Sequence, residues 1–387
     1  MTERPRLLFH VQHLLGVGHR ARAHRLAEAA RDAGFDVTLT AAPGEPVPEG
    51  VAALRLPAVR AADARFSTLV GADGRPADEA LWRARTDALA AAVASRPPDA
   101  LLVEGYPFAR RKFEAEIEPL IAAVRAAGGR VACSIRDILV AKPDRARNDR
   151  IAAKAAALYD RILVHGDPAF AALSESFPAA DALPAARLVY TGYVAPPPVA
   201  EAPAGETVIV SAGGGAVGEG LMTAALDARA AGLLADHRWR LLGGPNLDSD
   251  ARGRLAARTA ALEDVSIEPA LDGAAFRAAL SGAALSISQA GYNTAVDLWR
   301  AGPRAVLVPF AGPDGRESEQ PLRAAKIAAQ GRAAVCAEAA LDGPALTCAV
   351  ETVMSRPRPG PARAPDLNGA SAGAAALAAL VRETGLG

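Results

Sequence analysis

Short apolar runs alternate along the whole chain with longer stretches in which apolar residues recur at helical spacing. Residues 6–11 (RLLFHV) form a run of strand length, residues 20–33 read as a helix, Gly34 stops it, and residues 35–39 (FDVTL) form the next strand. A strand–helix–strand opening predicts parallel strands joined by right-handed crossovers. The pattern continues with strands at 51–56, 100–104, 131–135, 161–164 and 188–191. Helices are predicted at 77–95, 113–127, 149–159 and 169–177, with a loop over 58–76. Residues 194–203 (VAPPPVAEAP) break the series, because adjacent prolines fit neither a sheet nor a helix interior. A second series starts at 207–211 (TVIVS). It adds strands at 238–242, 265–268, 284–288 and 305–309 and helices at 219–234, 250–262, 274–281 and from Gly291 through Leu298. A proline-rich stretch at 357–365 precedes a closing Ala/Leu helix at 370–382.

The expected fold class is therefore α/β, with two Rossmann-like domains facing a cleft. Residues 1–195 make the first domain, residues 204–365 the second, and the helix within 366–387 is expected to pack back on the first. A length of 387 residues agrees, being too long for one ordinary core. The chain is 51% hydrophobic and 22% charged, which suits large buried cores. Its formal net charge of +0 supplies no field towards nucleic acid or anionic membrane. Cys133, Cys336 and Cys348 have no metal-like spacing and read as small hydrophobes of a reducing compartment. No run reaches the ~18 apolar residues of a membrane span, and the first strand starts without a signal-peptide core. The expectation is a cytoplasmic protein with no transmembrane segment, peripheral membrane contact staying open.

Candidate chemistry gathers where strands end in glycine turns, because ligands of open parallel sheets sit beyond the strands' carboxyl ends. Gly16-Val17-Gly18-His19 follows the first strand; Arg20 and Ala21 exclude the dinucleotide fingerprint. An imidazole at His19 can take a proton from a hydroxyl near neutral pH. His10, His13 and His24 lie close in sequence, but His19 and His24 stand about 140° apart on a helix and share no face. Glu104 and Tyr106 end another strand, and Asp137 follows a third; each can serve an acceptor or simply cap and pair locally. Gly213-Gly214-Gly215 offers successive N–H groups to a phosphate, with no Lys-Ser/Thr to make a P-loop. Asp248-Ser249-Asp250 has the form of a metal-holding DxD but sits where a helix cap is expected. Between residues 285 and 325 lie Gln289, Ala290, Gly291, Asn293, Thr294, Asp297 and the pair Glu319-Gln320, polar groups suited to a nucleoside and a sugar.

The stretch Ser288-Gln289-Ala290-Gly291-Tyr292-Asn293-Thr294, then Asp297, Gly302, Val308-Pro309-Phe310 and Glu319-Gln320, resembles the donor region of the GT-B glycosyltransferases. It is most similar to the family that adds N-acetylglucosamine to a lipid-linked peptidoglycan precursor and to the predicted glycosyltransferases grouped around it. The resemblance implies an acid on the nucleotide ribose at Asp297, although that family usually has Glu. It implies donor-sugar contacts at Glu319 and Gln320, diphosphate contacts at Gly213, Gly214, Gly215 and Gly291 to Thr294, a backbone contact to uracil near Leu271, and an acceptor or phosphate role for His19 in the loop Gly16 to Gly18. The first loop holds fewer glycines than the family's, and the family's arginine after a Thr-Gly-Asn-Pro-like turn is missing where Thr191-Gly192-Tyr193-Val194 runs into prolines. The implied activity is inverting, metal-independent transfer of a hexose from a UDP-sugar to a hydroxyl acceptor, a lipid or a glycan, with no cofactor. His19 is the first choice of base, with Glu104 and Asp137 in reserve. A nucleotide-sugar 2-epimerase and a non-catalytic nucleotide-sugar binder are the alternatives.

Overall fold

The computed structural model describes residues 3–12, 18–62, 68–198, 200, 202–213, 218–244, 247–312, 314–360 and 365–383. The chain divides into two compact units, Met1–Val194 with Asp366–Gly387, and Ala195–Pro365. The first unit contains β1 (Arg6–His10), α1 (Gly18–Asp32), β2 (Asp36–Ala41), β3 (Ala52–Arg55), β4 (Arg60–Ala61), β5 (Leu69–Val70), α2 (Glu79–Ser95), β6 (Ala100–Glu104), α3 (Glu114–Ala126), β7 (Arg130–Arg136), α4 (Arg145–Leu158), β8 (Arg161–His165) and β9 (Leu188–Tyr190). Seven strands pair in parallel in the order β3-β2-β1-β6-β7-β8-β9.

Both faces of this sheet are covered, which is why its strands read as unbroken apolar runs. Leu7, Phe9 and Leu102 join the cluster holding Leu26 and Ala27 of α1. Leu8, Leu101 and Val103, one position out of phase, join Ile117, Leu120 and Ile121 of α3. A carboxylate and its arginine partner are buried in the layer. Glu116, 0% exposed, takes two bonds from Arg85 (2.6 and 2.8 Å) and one from Gln12 (3.0 Å), with His10 Nε2 at 3.1 Å. Burial would raise the Glu116 pKa, but the bonds from Arg85 and His10 outweigh it and hold the carboxyl ionised.

The second unit contains β10 (Thr207–Ser211), α5 (Glu219–Ala230), β11 (Arg238–Gly243), α6 (Ser249–Thr259), β12 (Val265–Pro269), α7 (Gly273–Ser281), β13 (Leu285–Ser288), α8 (Tyr292–Ala301), β14 (Arg304–Leu307), α9 (Glu319–Ala329), β15 (Ala333–Val335) and α10 (Gly343–Met354). Its six parallel strands run β12-β11-β10-β13-β14-β15. Val208, Val210, Leu241 and Ile287 pack with Met222 and Leu226 of α5 and Leu346 and Val350 of α10. The last helix, α11 (Gly369–Arg382), belongs to the first unit. The chain re-enters that unit where it left it: Tyr193 N–H donates to Asp366 O (2.7 Å) and Gly369 N–H to Tyr193 O (2.9 Å). Ala374, Leu377 and Leu380 then complete the apolar layer over α1.

Three local expectations are corrected. Residues 169–177 hold only a short 3-10 turn, Leu173–Glu175, because Pro168 and Pro178 leave too little chain to nucleate an α-helix. The stretch 58–76 is not all loop, since β4 and β5 pair antiparallel within it. The helix expected to reach residue 234 ends at Ala230, just before Gly232 at φ 97°.

Candidate functional site

In the first unit the strand order reverses between β1 and β6, so the helices that follow these two strands leave on opposite faces. That divergence opens a crevice at the carboxyl ends. Glu104 is the last residue of β6, one beyond Val103, the register partner of His10. His19 lies in the first turn of α1, and its Nδ1 is 2.6 Å from Glu104 Oε1. Arg22, three residues on and on the same helix face, donates to the same oxygen and brings Nη2 within 3.3 Å of His19 Nδ1. An ionised carboxylate only accepts, so this network assigns the proton to Nδ1 and leaves the Nε2 lone pair for another partner.

The electrostatics agree. Burial lowers the His19 pKa from 6.5 to about 3, against the pull of Glu104 and with Arg110 and Arg22 adding to the drop. Burial would raise the Glu104 pKa, but His19, Arg22 and Arg110 together hold it below the usual carboxylate range. The result is a neutral imidazole oriented by an ionised carboxylate. The His19 side chain is 27% exposed and Glu104's 3%, so the ring is open while its anchor is enclosed. Glu104 Oε2 is buried and accepts no bond among the described residues.

The other first-unit candidates are set apart. Asp137 is 0% exposed and accepts a 2.8 Å bond from the Tyr193 phenol, which turns its carboxylate into the core rather than towards an acceptor. Tyr106 is also 0% exposed; its hydroxyl donates to Glu118 and takes a 3.1 Å bond from Lys154. Gly105, at φ 80°, breaks the alternation between Glu104 and Tyr106 and sends their side chains to different neighbours. Gly18 opens α1, whereas Gly16 and His13 lie outside the described residues.

The second unit repeats the arrangement, with its reversal between β10 and β13. Ser211 and Ser288 are register partners, and Gln289 N–H donates to Ser211 O (3.3 Å), so the turns after both strands start side by side. Gly213, at φ 64°, donates its N–H to Ser211 Oγ (3.2 Å); Gly214 and Gly215 lie outside the described residues. Gly291 caps α8 with no side-chain bond, and Gly218 caps α5 likewise. By contrast α6, α7 and α10 are each capped by an aspartate, Asp248, Asp272 and Asp342. Asp248-Ser249-Asp250 is thus a cap, as expected, and no cluster of three metal-binding side chains occurs among the described residues. The starts of α5 and α8, beside the reversal, lack an acidic cap, and a positive helix end there can receive an anion.

No family model matches the chain, and no curated protein does. Solved structures do. The glycotransferase of kitacinnamycin superposes with a TM-score of 0.60 at 16% identity, covering 99% of this chain and 96% of its own. MurG of Acinetobacter baumannii gives 0.56 at 17% identity, covering 98% and 99%. UGT89C1 of Arabidopsis thaliana gives 0.63 at 13% identity, covering 99% and 100%. The fold is GT-B.

In this GT-B chain the remaining donor-side candidates have structural partners. Asp297 is 7% exposed, one and a half turns into α8, with Oδ1 3.9 Å from Arg277 Nη1. Its carboxylate is thus largely enclosed and faces a guanidinium of α7. Glu319 is 4% exposed and pairs with Arg323 (2.9 Å), whose other nitrogen donates to Ala290 O (2.9 Å). Gln320 Oε1 accepts from Ala290 N–H (3.0 Å) and Phe310 N–H (3.1 Å), stapling the ends of β13 and β14 together. Asn293 and Thr294 are half-buried in the first turn of α8, and Leu271 is half-buried between β12 and α7. Arg22 and Arg323 escaped the sequence reading, although spacings of three and four from His19 and Glu319 were a usable signal.

Proposed function

We propose that this chain is an inverting glycosyltransferase that moves a hexose from a UDP-linked donor to a hydroxyl acceptor without a metal. The observation that carries the reading is the His19–Glu104 pair at the sheet reversal of the first unit. His19 Nε2 takes the hydroxyl proton as the acceptor oxygen attacks the anomeric carbon in a single displacement. Glu104 holds the ring and stabilises the imidazolium that forms. The departing diphosphate is held by backbone N–H groups of the Gly213 and Gly291 turns and by the start of α8. Full-length coverage of GT-B glycosyltransferase structures supports the same reading. His19→Ala is expected to lower kcat by about 10²–10⁴-fold with UDP affinity unchanged. Equal turnover by wild type and His19→Ala would remove His19 as the base, and UDP binding with no turnover by either protein would leave a nucleotide-sugar binder instead.

A further inference from the structure

The carboxylate that orients His19 is held at one of its two oxygens. Oε1 of Glu104 accepts from both His19 Nδ1, at 2.6 Å, and Arg22 Nη2. Oε2 is buried and accepts no bond among the described residues. Arg22 Nη2 also stands 3.3 Å from Nδ1, so the two donors lie side by side on a single acceptor. The Arg22 and Glu104 side chains are each 3% exposed, which leaves little screening of their charges. Three segments bring charge to the ring: α1 through Arg22, β6 through Glu104, and the loop after β6 through Arg110. A carboxylate alone beside an imidazole favours the protonated ring. A guanidinium stays charged at every working pH and disfavours it. Burial, Arg110 and Arg22 all oppose the pull of Glu104 on a second ring proton. A counter-ion that only balanced the core could sit on Oε2, yet Arg22 sits on the oxygen that His19 uses.

We propose that Arg22 is a positioning residue acting through Glu104: by sharing the oxygen that holds His19, it fixes the ring with Nε2 outward and keeps the imidazole neutral in mildly acidic solution. Its part in turnover rests on the transferase reading above; its hold on the ring does not. Glu104 alone would orient the base and also load it with a proton. Arg22 separates these two effects. The bond from Nδ1 remains, while the carboxylate's pull on a second proton is offset. Nε2 then keeps its lone pair for an acceptor hydroxyl. The imidazolium formed during transfer returns its proton to solvent readily, because the His19 side chain is 27% exposed.

The test uses the full chain with nitrogen-15-labelled histidine, whose magnetic resonance reports ring protonation and tautomer directly. The chain has 6 histidines, and the His19 signal is the one lost in His19→Ala. Wild-type His19 should show the neutral Nδ1–H form throughout about pH 4.5 to 8. In Arg22→Gln, which keeps an amide donor and drops the charge, the ring's proton affinity should rise about tenfold or more, so that protonation enters the acid end of this range. Arg22→Lys, which keeps the charge, should return the ring to wild-type behaviour. Three results overturn the proposal: a wild-type ring that takes its proton near the ordinary imidazole pKa of about 6.5, equal protonation in wild type and Arg22→Gln, or an Arg22→Lys ring that protonates as in Arg22→Gln. An arginine with a purely structural role would give the second result, together with a lower urea midpoint. The wild-type measurement decides even if a variant does not fold. Failure here removes Arg22 and leaves turnover to the His19→Ala comparison; absence of turnover there sinks the transferase reading and leaves the ring as measured.

Discussion

Gly291 has φ −64° and ψ 158°, a backbone open to any residue, and an added Cβ would meet nothing nearer than Thr294 Oγ1 at 3.9 Å. Neither strain nor crowding in the unit calls for glycine there, and close approach of a donor on the proposed reading would call for it. Gly291→Ser is expected to hold stability, or raise it by about a few tenths of a kcal/mol through capping α8, while weakening UDP binding. Calorimetry of folding and of UDP binding on the same variant checks both halves. His165 offers a second residue-scale outcome. Its ring is 0% exposed, with Ser134 Oγ at 2.9 Å and Thr191 Oγ1 at 2.8 Å, and burial lowers its pKa to about 3, with Arg22 adding to the drop. The unfolded imidazole takes a proton below about 6.5, the folded one only near 3. The stability from this lowered pKa is therefore complete above 6.5 and is lost as pH falls from 6.5 towards 3. Urea midpoints at pH 7.5 and 5 should differ less in His165→Gln than in wild type.

At the scale of elements, α11 shows how a segment of low complexity acquires a defined place. Its Ala-rich sequence gives a strong helix but little instruction about a partner. The partner is supplied by α1, whose Ala23, Leu26, Ala27 and Ala30 are all buried in the same cluster as Leu377 and Leu380. Leu377→Ala should cost the first unit about 2–5 kcal/mol, read from denaturant unfolding. Most strands and helices were legible in the sequence, because apolar period and glycine or proline stops act within a few residues. The exceptions have the same kind of cause. Residues 169–177 carry helical spacing, but flanking prolines outweigh it. The strand at Ala333–Val335 is three residues long, too short for a period to show.

For the molecule as a whole, each unit has its own strand reversal, and the chemically promising residues fall at both. Among the described residues no helix is long and apolar enough to cross a membrane. A nucleotide-binding function predicts that a nucleoside diphosphate at 100 times its Kd adds about 2.7 kcal/mol of stability. A thermal-shift panel checks this, with UDP expected to exceed the other nucleoside diphosphates; no shift with any of them would remove the donor from the reading.

The candidate site divides along a physical line. His19, Glu104 and the turns at Gly213 and Gly291 were visible beforehand, because glycine and polar residues placed just after an apolar run mark a strand's carboxyl end. The order of elements, the parallel sheets and the break near residue 194 were likewise determined by local patterns that act over a few residues at a time. Only tertiary structure decided which polar side chains remain open. It joined His19 to Glu104 across 85 positions, turned Asp137 onto Tyr193 and enclosed Asp297 against Arg277. Those pairings follow from strand order and helix packing between distant segments, and no local spacing encodes them.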